Sequence, residues 1–278
     1  MTLPMNFTLV RHGLSEANRI QKFMKSDNLE GLRGLVDMVA VAARHDSTTR
    51  LSVRGVEQAE ATGEWLRKNM NPFDRFYVSP HIRTRETAAH LHLNGDWIVD
   101  DRFRERDWGE IANPNEDFTN PMTEFSKRLK KMNEWYWKPQ GGESLATGVR
   151  ARVEFVMESL YRREGVNNVV AVTHGEFIRV AQFVIERMSP DYFNLTDADP
   201  AYKVENTMVI EYTRQNPNNP ADIRDNFKWR RATCPWDESK SWFNGEWVEF
   251  NTPKHTDEEL LTFAETHPRF FSDEGISI

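Results

Sequence analysis

The chain has 278 residues, of which 38% are hydrophobic and 28% are charged, a composition typical of a soluble globular protein. Its formal charge of −7 argues against a broad basic surface, so we expect neither nucleic acid nor an anionic membrane as a partner. The single cysteine, Cys234, cannot form an internal disulfide, and no apolar run reaches the length of a membrane span or a secretory core; we therefore expect a cytoplasmic protein.

Runs rich in β-branched and aromatic residues alternate with stretches whose apolar residues repeat at helical spacing. The strand-like runs lie at 6–10, 74–78, 97–99, 169–173 and 207–213. The helix-like stretches lie at 53–70, 79–91, 144–160 and 176–188. Ser52 and Ser79-Pro80 supply start signals for the first two helices. This alternation predicts an α/β fold.

Two segments fall outside the alternation. Residues 23–50 carry an apolar stripe and predict one extra amphipathic helix. Because this insertion leaves the end of the first strand and returns at Ser52, we expect a partial lid over a cleft there, with a homodimer contact as the alternative. From 214 to 278 turn residues and tryptophans predict an aromatic-rich extension packed on a main domain of residues 1–213, with an edge strand at 247–250.

Chemically reactive side chains follow the first four predicted strands. In chain order they are Arg11, His12, Arg83, Glu105 and His174. Because ligands of open α/β sheets bind outside the carboxyl ends of the strands, we expect these side chains to share one pocket. Guanidinium groups suit phosphate oxygens, a histidine can act as a nucleophile, and a carboxyl group can donate a proton. The sequence therefore predicts a site for phosphoryl transfer.

The charges of this pocket also bear on proton affinity. Neighbouring arginines depress the pKa of a histidine, which keeps His12 neutral and nucleophilic near neutral pH. Glu105 can protonate a departing alkoxide if burial or an incoming phosphate raises its pKa. Covalent catalysis would then split hydrolysis of a phosphate ester into two steps.

The order and spacing of these residues resemble a known family. The motifs are Arg11-His12-Gly13 with Ser15 and Asn18, Leu51-Ser52 with Gly55 and Gln58, Ser79 with Arg83, Glu105 to Gly109, Gly141-Gly142-Glu143-Ser144, and Thr173-His174-Gly175. As an ordered set over roughly residues 6–213 they resemble the histidine phosphatase superfamily, in the branch that holds the cofactor-dependent phosphoglycerate mutases. The resemblance implies a three-layer α/β/α sandwich with a mixed, mostly parallel sheet, and a site without metal or cofactor.

The resemblance also implies roles for the matching positions. It makes His12 the nucleophile, Glu105 the proton donor and His174 a third catalytic residue beside the phosphate. The phosphate-binding residues that it implies are Arg11, Arg83, Asn18 and Ser15. Asp107 and Glu110 are the alternatives to Glu105, whereas Glu143 and Ser144 are interpreted as residues that start a helix.

The remaining histidines give weaker signals. His81 lies between two motif residues and could reach the pocket. His90 and His92 are two apart on a predicted helix, hence on different faces, which makes them a poor pair of metal ligands.

The activity that fits these residues best is hydrolysis of a phosphate monoester through a phosphohistidine. The alternatives are a phosphoglycerate mutase-type phosphotransferase and a non-catalytic module that binds a phospholigand. Residues 110–114 read Glu-Ile-Ala-Asn-Pro and lack the Gly-x-Asn-Lys run typical of the mutases. The substrate is expected to be a small-molecule phosphate ester or a phosphoprotein, and the sequence does not choose between them.

Overall fold

The computed structural model describes residues 2–25, 45–109 and 124–269. The strands of the described chain are β1 (Asn6–Arg11), β2 (Arg75–Val78), β3 (Trp97–Val99), β4 (Asn168–Thr173), β5 (Val209–Thr213), β6 (Gln215–Asn216), β7 (Asn219–Ile223), β8 (Trp229–Thr233) and β9 (Val248–Glu249). The helices are α1 (Glu16–Lys25), α2 (Val53–Asn69), α3 (Ile82–His90), α4 (Glu124–Met132), α5 (Arg150–Tyr161), α6 (Gly175–Glu186), α7 (Pro190–Ala198) and α8 (Asp257–Glu265).

Seven strands form one twisted mixed sheet in the order β3-β2-β4-β1-β5-β8-β9. The four strands from β3 to β1 run parallel, and β5, β8 and β9 continue the sheet with antiparallel pairing. Arg11 pairs with Thr173, so β1 and β4 end at the same level. The carboxyl ends of the parallel strands therefore meet at one edge, as the sequence predicts.

Helices cover both faces of the sheet because alternate strand residues point to opposite sides. One buried cluster consists of Val10, Val78, Val170, Val172 and Val209 from the sheet with Leu66, Ala88 and Leu91 from α2 and α3. The opposite cluster joins Phe7, Leu9, Val169 and Ala171 to Val153, Val156, Phe177 and Ile178 from α5 and α6. The expected three-layer α/β/α sandwich with a mixed, mostly parallel sheet is confirmed.

The start of α3 lies later than the sequence predicts. The Ser79-Pro80 pair was expected to cap this helix, but the helix begins at Ile82, with His81 at the N-cap. The Ser79 hydroxyl lies 2.8 Å from Nε2 of His174 and is used there instead. Arg83 nevertheless remains in the first helical turn, facing the sheet edge.

The end of α3 also corrects an expectation. The helix ends at His90, and His92 adopts a left-handed backbone conformation with φ of 50°. This reversal brings the two imidazole rings together, with centroids 6.0 Å apart. The opposite-face argument for His90 and His92 was wrong because it assumed that the helix continues.

The residues beyond 213 extend the main sheet. β8 pairs with β5 along its whole length, and Val248–Glu249 forms the edge strand β9. The buried Glu186 carboxylate at the end of α6 accepts hydrogen bonds from Arg230 of β8 and from the Tyr212 hydroxyl of β5. An ion pair buried in this way is costly to break, since removing one partner leaves the other charge unpaired. The proposed boundary between 1–213 and 214–278 stays a prediction.

Within the described ranges, none of the helices combines the length and the apolar character needed to cross a membrane. The core of the insertion, residues 26–44, lies outside the described chain, so the lid and its alternative, a homodimer contact, stay predictions.

The contact between α2 and the loop after β1 predicts a strict size limit at Gly55. A Cβ atom there would lie 2.2 Å from the carbonyl oxygen of Leu14. We expect Gly55→Ala to reduce the free energy of unfolding by about 1 to 3 kcal/mol, as overpacking does, and to reduce activity because His12 belongs to the same loop. Denaturant titration and an activity assay measure the two effects. Glu57→Ala, on the exposed face of α2, is the matched control; equal effects of the two substitutions would contradict the size limit.

Candidate functional site

His12 follows β1 directly and is 2% exposed. Its Nδ1 lies 2.7 Å from the carbonyl oxygen of Gly13. A carbonyl only accepts, so this contact assigns the ring proton to Nδ1 and leaves a lone pair on Nε2. Arg83 donates to that Nε2 from its Nε at 3.3 Å. The unprotonated Nε2 of His12 thus faces the side chain of Arg83.

Arg83 lies at the centre of the site and is 4% exposed. Its Nη2 is 3.3 Å from Nδ1 of His174. Three further contacts of the guanidinium reach the end of the insertion: Nη2 donates to the Asp46 carboxylate at 2.8 Å, and Nη1 donates to the Asp46 carbonyl at 2.7 Å and to the Thr49 hydroxyl. One side chain therefore joins both buried histidines to the end of the insertion.

His174 follows β4 directly and occupies the N-cap position of α6. Because Arg83 can only donate, Nδ1 of His174 accepts, and its Nε2 carries the proton that is directed at the hydroxyl of Ser79. The rings of His12 and His174 lie 5.2 Å apart between centroids. The sequence-based expectation that these strand ends converge agrees with this geometry.

The histidines of the site are held neutral. Burial, followed by the charges of Arg83 and Arg11, lowers the pKa of His12 well below its ordinary value. Burial and Arg83 lower the pKa of His174 in the same way. His81 reaches the pocket edge, 4.6 Å from His174 between ring centroids, and burial lowers its pKa to about 4. Neutral imidazoles beside a permanent guanidinium charge suit a nucleophile and an anion site.

Glu105 is an acid that lies close to His174. Its Oε2 lies 3.9 Å from Nδ1 of His174. Burial raises its pKa above the ordinary value, against the opposing charge of Arg83. The rival Asp107 is exposed and accepts from the backbone N–H of Gly109, so it acts as a turn residue. The other rival, Glu110, lies outside the described chain.

Glu143 and Arg152 hold the loop that carries Glu105. From the sequence alone, Glu143 is interpreted as a residue that starts a helix, and Arg152 has no assigned role. Glu143 accepts from Arg104, from the backbone N–H of Asp107 at 3.1 Å and from Arg152 at 2.8 Å. Arg152 in turn donates to the carbonyls of Arg102 and Arg104. Glu143 is thus a positioning residue, and the spacing of the Gly-Gly-Glu-Ser motif was the signal for it.

Arg11 lies at the end of β1, with its guanidinium next to Gly175. Its Nη1 donates to the carbonyl oxygen of Val204 at 2.5 Å. Its buried Nε has no hydrogen-bond partner within the described ranges. A Cβ atom at position 175 would lie 3.4 Å from this Nε, an ordinary van der Waals contact, so the guanidinium packs directly beside the start of α6. Arg11 therefore has a buried donor available at the pocket.

Ser15 and Asn18 bind each other at the start of α1. The Asn18 N–H donates to the Ser15 hydroxyl at 3.2 Å, and the Ser15 N–H to the Asn18 side-chain oxygen at 3.5 Å. This reciprocal arrangement satisfies backbone groups at the N-terminus of the helix. Their predicted contact with a phosphate stays a prediction.

Two acidic residues near the site were missed by sequence reasoning. Asp46 occupies the anion-binding fork of Arg83, and no local motif links two residues that lie so far apart in the chain. Glu176 lies in the first turn of α6, 3.6 Å from Nη1 of Arg106. Burial and the neighbouring charge of Glu105 raise the Glu176 pKa to about 8. Its position directly after the Thr-His-Gly motif was the available signal.

The chain belongs to the histidine phosphatase superfamily (branch 1), whose family model matches residues 36–217. The matched range begins after His12, so the place of His12 in the site rests on the geometry above. Among its relatives, a 2,3-bisphosphoglycerate-dependent phosphoglycerate mutase of Sinorhizobium fredii is 26% identical over 189 residues, covering 66% of this chain and 80% of the relative. The corresponding enzyme of Azorhizobium caulinodans is 29% identical over 151 residues, covering 51% and 71%.

Solved structures of similar fold include phosphatases. A putative alpha-ribazole-5'-P phosphatase from Escherichia coli has a TM-score of 0.57 at 18% identity, with 81% of this chain and 96% of that chain covered. A mycobacterial glucosyl-3-phosphoglycerate phosphatase has a TM-score of 0.56 at 21% identity, with 80% and 97% covered. At these identities the likeness establishes the fold.

Because the Asp46 carboxylate binds the Arg83 guanidinium, we predict that it competes with an anionic ligand for this guanidinium. We expect Asp46→Asn to strengthen inhibition by inorganic phosphate about two- to fivefold, which corresponds to the removal of a partly exposed ion pair worth up to about 1 kcal/mol. The inhibition constant measured at fixed ionic strength tests this. Asp257→Asn in α8 is the control. Weaker phosphate inhibition in Asp46→Asn would instead make Asp46 a residue that positions Arg83.

Proposed function

We propose that the protein hydrolyses a phosphate monoester, a small molecule or a phosphoprotein, through a phosphohistidine at His12. The observation that carries the proposal is the unprotonated Nε2 of His12, fixed by the Gly13 carbonyl and directed toward Arg83. A buried neutral nitrogen next to a guanidinium is the arrangement that attack on phosphorus requires.

In the first step the lone pair of His12 Nε2 forms a bond to phosphorus, and the bond from phosphorus to the ester oxygen breaks. Arg83 and Arg11 neutralise the phosphoryl oxygens, which carry most of the charge in a loose transition state. Glu105 in its acid form gives its proton to the departing oxygen, so that an alcohol leaves.

In the second step the Glu105 carboxylate removes a proton from water, and the water oxygen attacks phosphorus. The bond from phosphorus to His12 Nε2 breaks, the histidine recovers its lone pair, and inorganic phosphate leaves. Both steps draw their positive charge from arginines, so we propose that the reaction needs neither a metal ion nor a cofactor.

Trapping the intermediate tests the nucleophile. We expect enzyme quenched during turnover in the presence of EDTA to carry phosphate that is stable to alkali and labile to acid. His12→Ala should lose this label and lose activity by orders of magnitude. His45→Ala, an exposed histidine, is the matched control. Near-normal turnover by His12→Ala would refute the mechanism.

The raised pKa of Glu105 predicts the pH dependence. The acid form donates the proton, and a raised pKa keeps that form present to higher pH than usual. Activity on alkyl phosphates should therefore fall as pH rises through this pKa, while His12, with its lowered pKa, remains neutral at mildly acidic pH. Glu105→Gln should remove this limb and slow alkyl phosphates far more than aryl phosphates, whose leaving groups need no proton.

Rate profiles against pH for p-nitrophenyl phosphate and an alkyl phosphate measure both effects. Asp107→Asn is the matched control because Asp107 lies on the same loop but is exposed. Equal losses on both substrates in Glu105→Gln would give Glu105 a binding role only.

A mutase-type phosphotransferase is the second candidate. It is favoured because the similar proteins of Sinorhizobium fredii and Azorhizobium caulinodans are named as phosphoglycerate mutases. A mutase must return the phosphoryl group to a second hydroxyl before water reaches it. Interconversion of 3- and 2-phosphoglycerate without release of phosphate would support the mutase, whereas phosphate release from p-nitrophenyl phosphate and simple esters supports the phosphatase. Absence of both activities would leave the phospholigand-binding module.

A further inference from the structure

Glu60 of α2 lies next to the histidine pair at the end of α3. The Nδ1 atom of His90 is 3.4 Å from Oε1 of Glu60. One ligand atom from each of Glu60, His90 and His92 can be chosen so that all three lie within 4.8 Å of one another. All three side chains are at least partly accessible to solvent. The cluster thus presents two imidazole nitrogens and a carboxylate oxygen to a common point at the surface.

The turn that brings His92 back is held in place by its surroundings. Nη1 of Arg67 donates to the carbonyl oxygens of both Leu91 and His92, at 2.5 and 3.2 Å. Gly63 lies so close to this turn that a Cβ atom would be 2.1 Å from the Leu91 carbonyl oxygen. Leu91 itself is fully buried. The ring of His92 is therefore presented by a backbone that α2 fixes on one side and the core on the other.

The left-handed conformation of His92 adds to this argument. A residue other than glycine in this region costs roughly 1 to 3 kcal/mol, and such strain concentrates at functional positions. Without the reversal, the helical periodicity would have placed His92 away from His90. The strain is therefore linked to the one feature that makes the three groups converge.

Two histidines and one glutamate form a ligand set that zinc prefers, with a water as fourth ligand. Bonds of about 2.1 Å in tetrahedral geometry put ligand atoms about 3.4 Å apart. The distance between His90 and Glu60 already matches this spacing. Binding would require the three ligand atoms, which lie within 4.8 Å of one another, to close to this spacing.

We propose that Glu60, His90 and His92 bind one divalent ion of the zinc class. The ion would clamp α2 to the end of α3, about 10 Å along that helix from Arg83. Both helices hold the loop after β1, through Gln58 on α2 and Thr87 on α3. Bound metal would therefore stabilise the fold from outside the pocket, and the proposal does not depend on the reaction performed there.

The test is calorimetric titration of the full chain, freed of metal with EDTA and dialysed, with zinc chloride. We expect one equivalent to bind and to raise the melting temperature. Glu60→Gln and His92→Asn should each weaken binding at least about tenfold and abolish the rise in melting temperature. Asparagine tolerates the left-handed conformation, so His92→Asn removes the ligand and keeps the turn.

Two controls separate this site from the other histidines. His255→Asn, at an exposed position outside the cluster, and His12→Ala, in the pocket, should keep both the stoichiometry and the affinity of the wild type. Equal melting temperatures of all variants without metal show that the folds are intact. The proposal is overturned if the wild type binds no zinc, or if Glu60→Gln and His92→Asn bind zinc as the wild type does.

Discussion

The guanidinium of Arg83 is the group on which the site depends. It donates to the Nε2 atom of His12 and to the Nδ1 atom of His174, and so it selects the tautomer of each ring. Its positive charge lowers the pKa of both histidines and so favours their neutral forms. A lysine could supply the charge but not the planar fork that reaches both rings and Asp46 at once.

The backbone around His12 is held from several sides. Asn206 donates to the His12 carbonyl, and Trp236 from beyond residue 213 donates to the Asn206 carbonyl. On the other side the hydroxyl of Thr87 accepts from the N–H of Gly13. His12 therefore lies where α3, the sheet and the residues beyond 213 meet, and its position depends on contacts that are remote in sequence.

The sequence alone predicted the features that follow from strand geometry. His12, Arg83 and His174 were expected to converge because parallel strands end at one edge of a sheet, and the alternation of strand-like and helix-like segments predicted the α/β fold. The sequence-based predictions failed where a side chain binds a partner distant in the chain instead of a neighbouring one. The sequence carries no sign that Ser79 binds His174 instead of capping α3, or that Asp46 pairs with Arg83, which lies 37 residues further along the chain.

The failure at His92 has a different cause. Periodicity describes residues only while a helix continues, and it carries no signal for a left-handed residue stabilised by Arg67 and Gly63 of another helix. The turn is stabilised by the way α2 packs against the end of α3, and this packing cannot be read from the sequence.

The central place of β1 in the sheet has a consequence for the order in which the molecule can assemble. Asn6 pairs with Asn168 on one side and with Thr213 on the other. In a nascent chain β1, which leads directly to His12, therefore has its full set of neighbours only after the ribosome has delivered both of those partners. Contacts of such high sequence separation are slow to form, and His12 acquires its environment only late in biogenesis, when most of the chain has already been made.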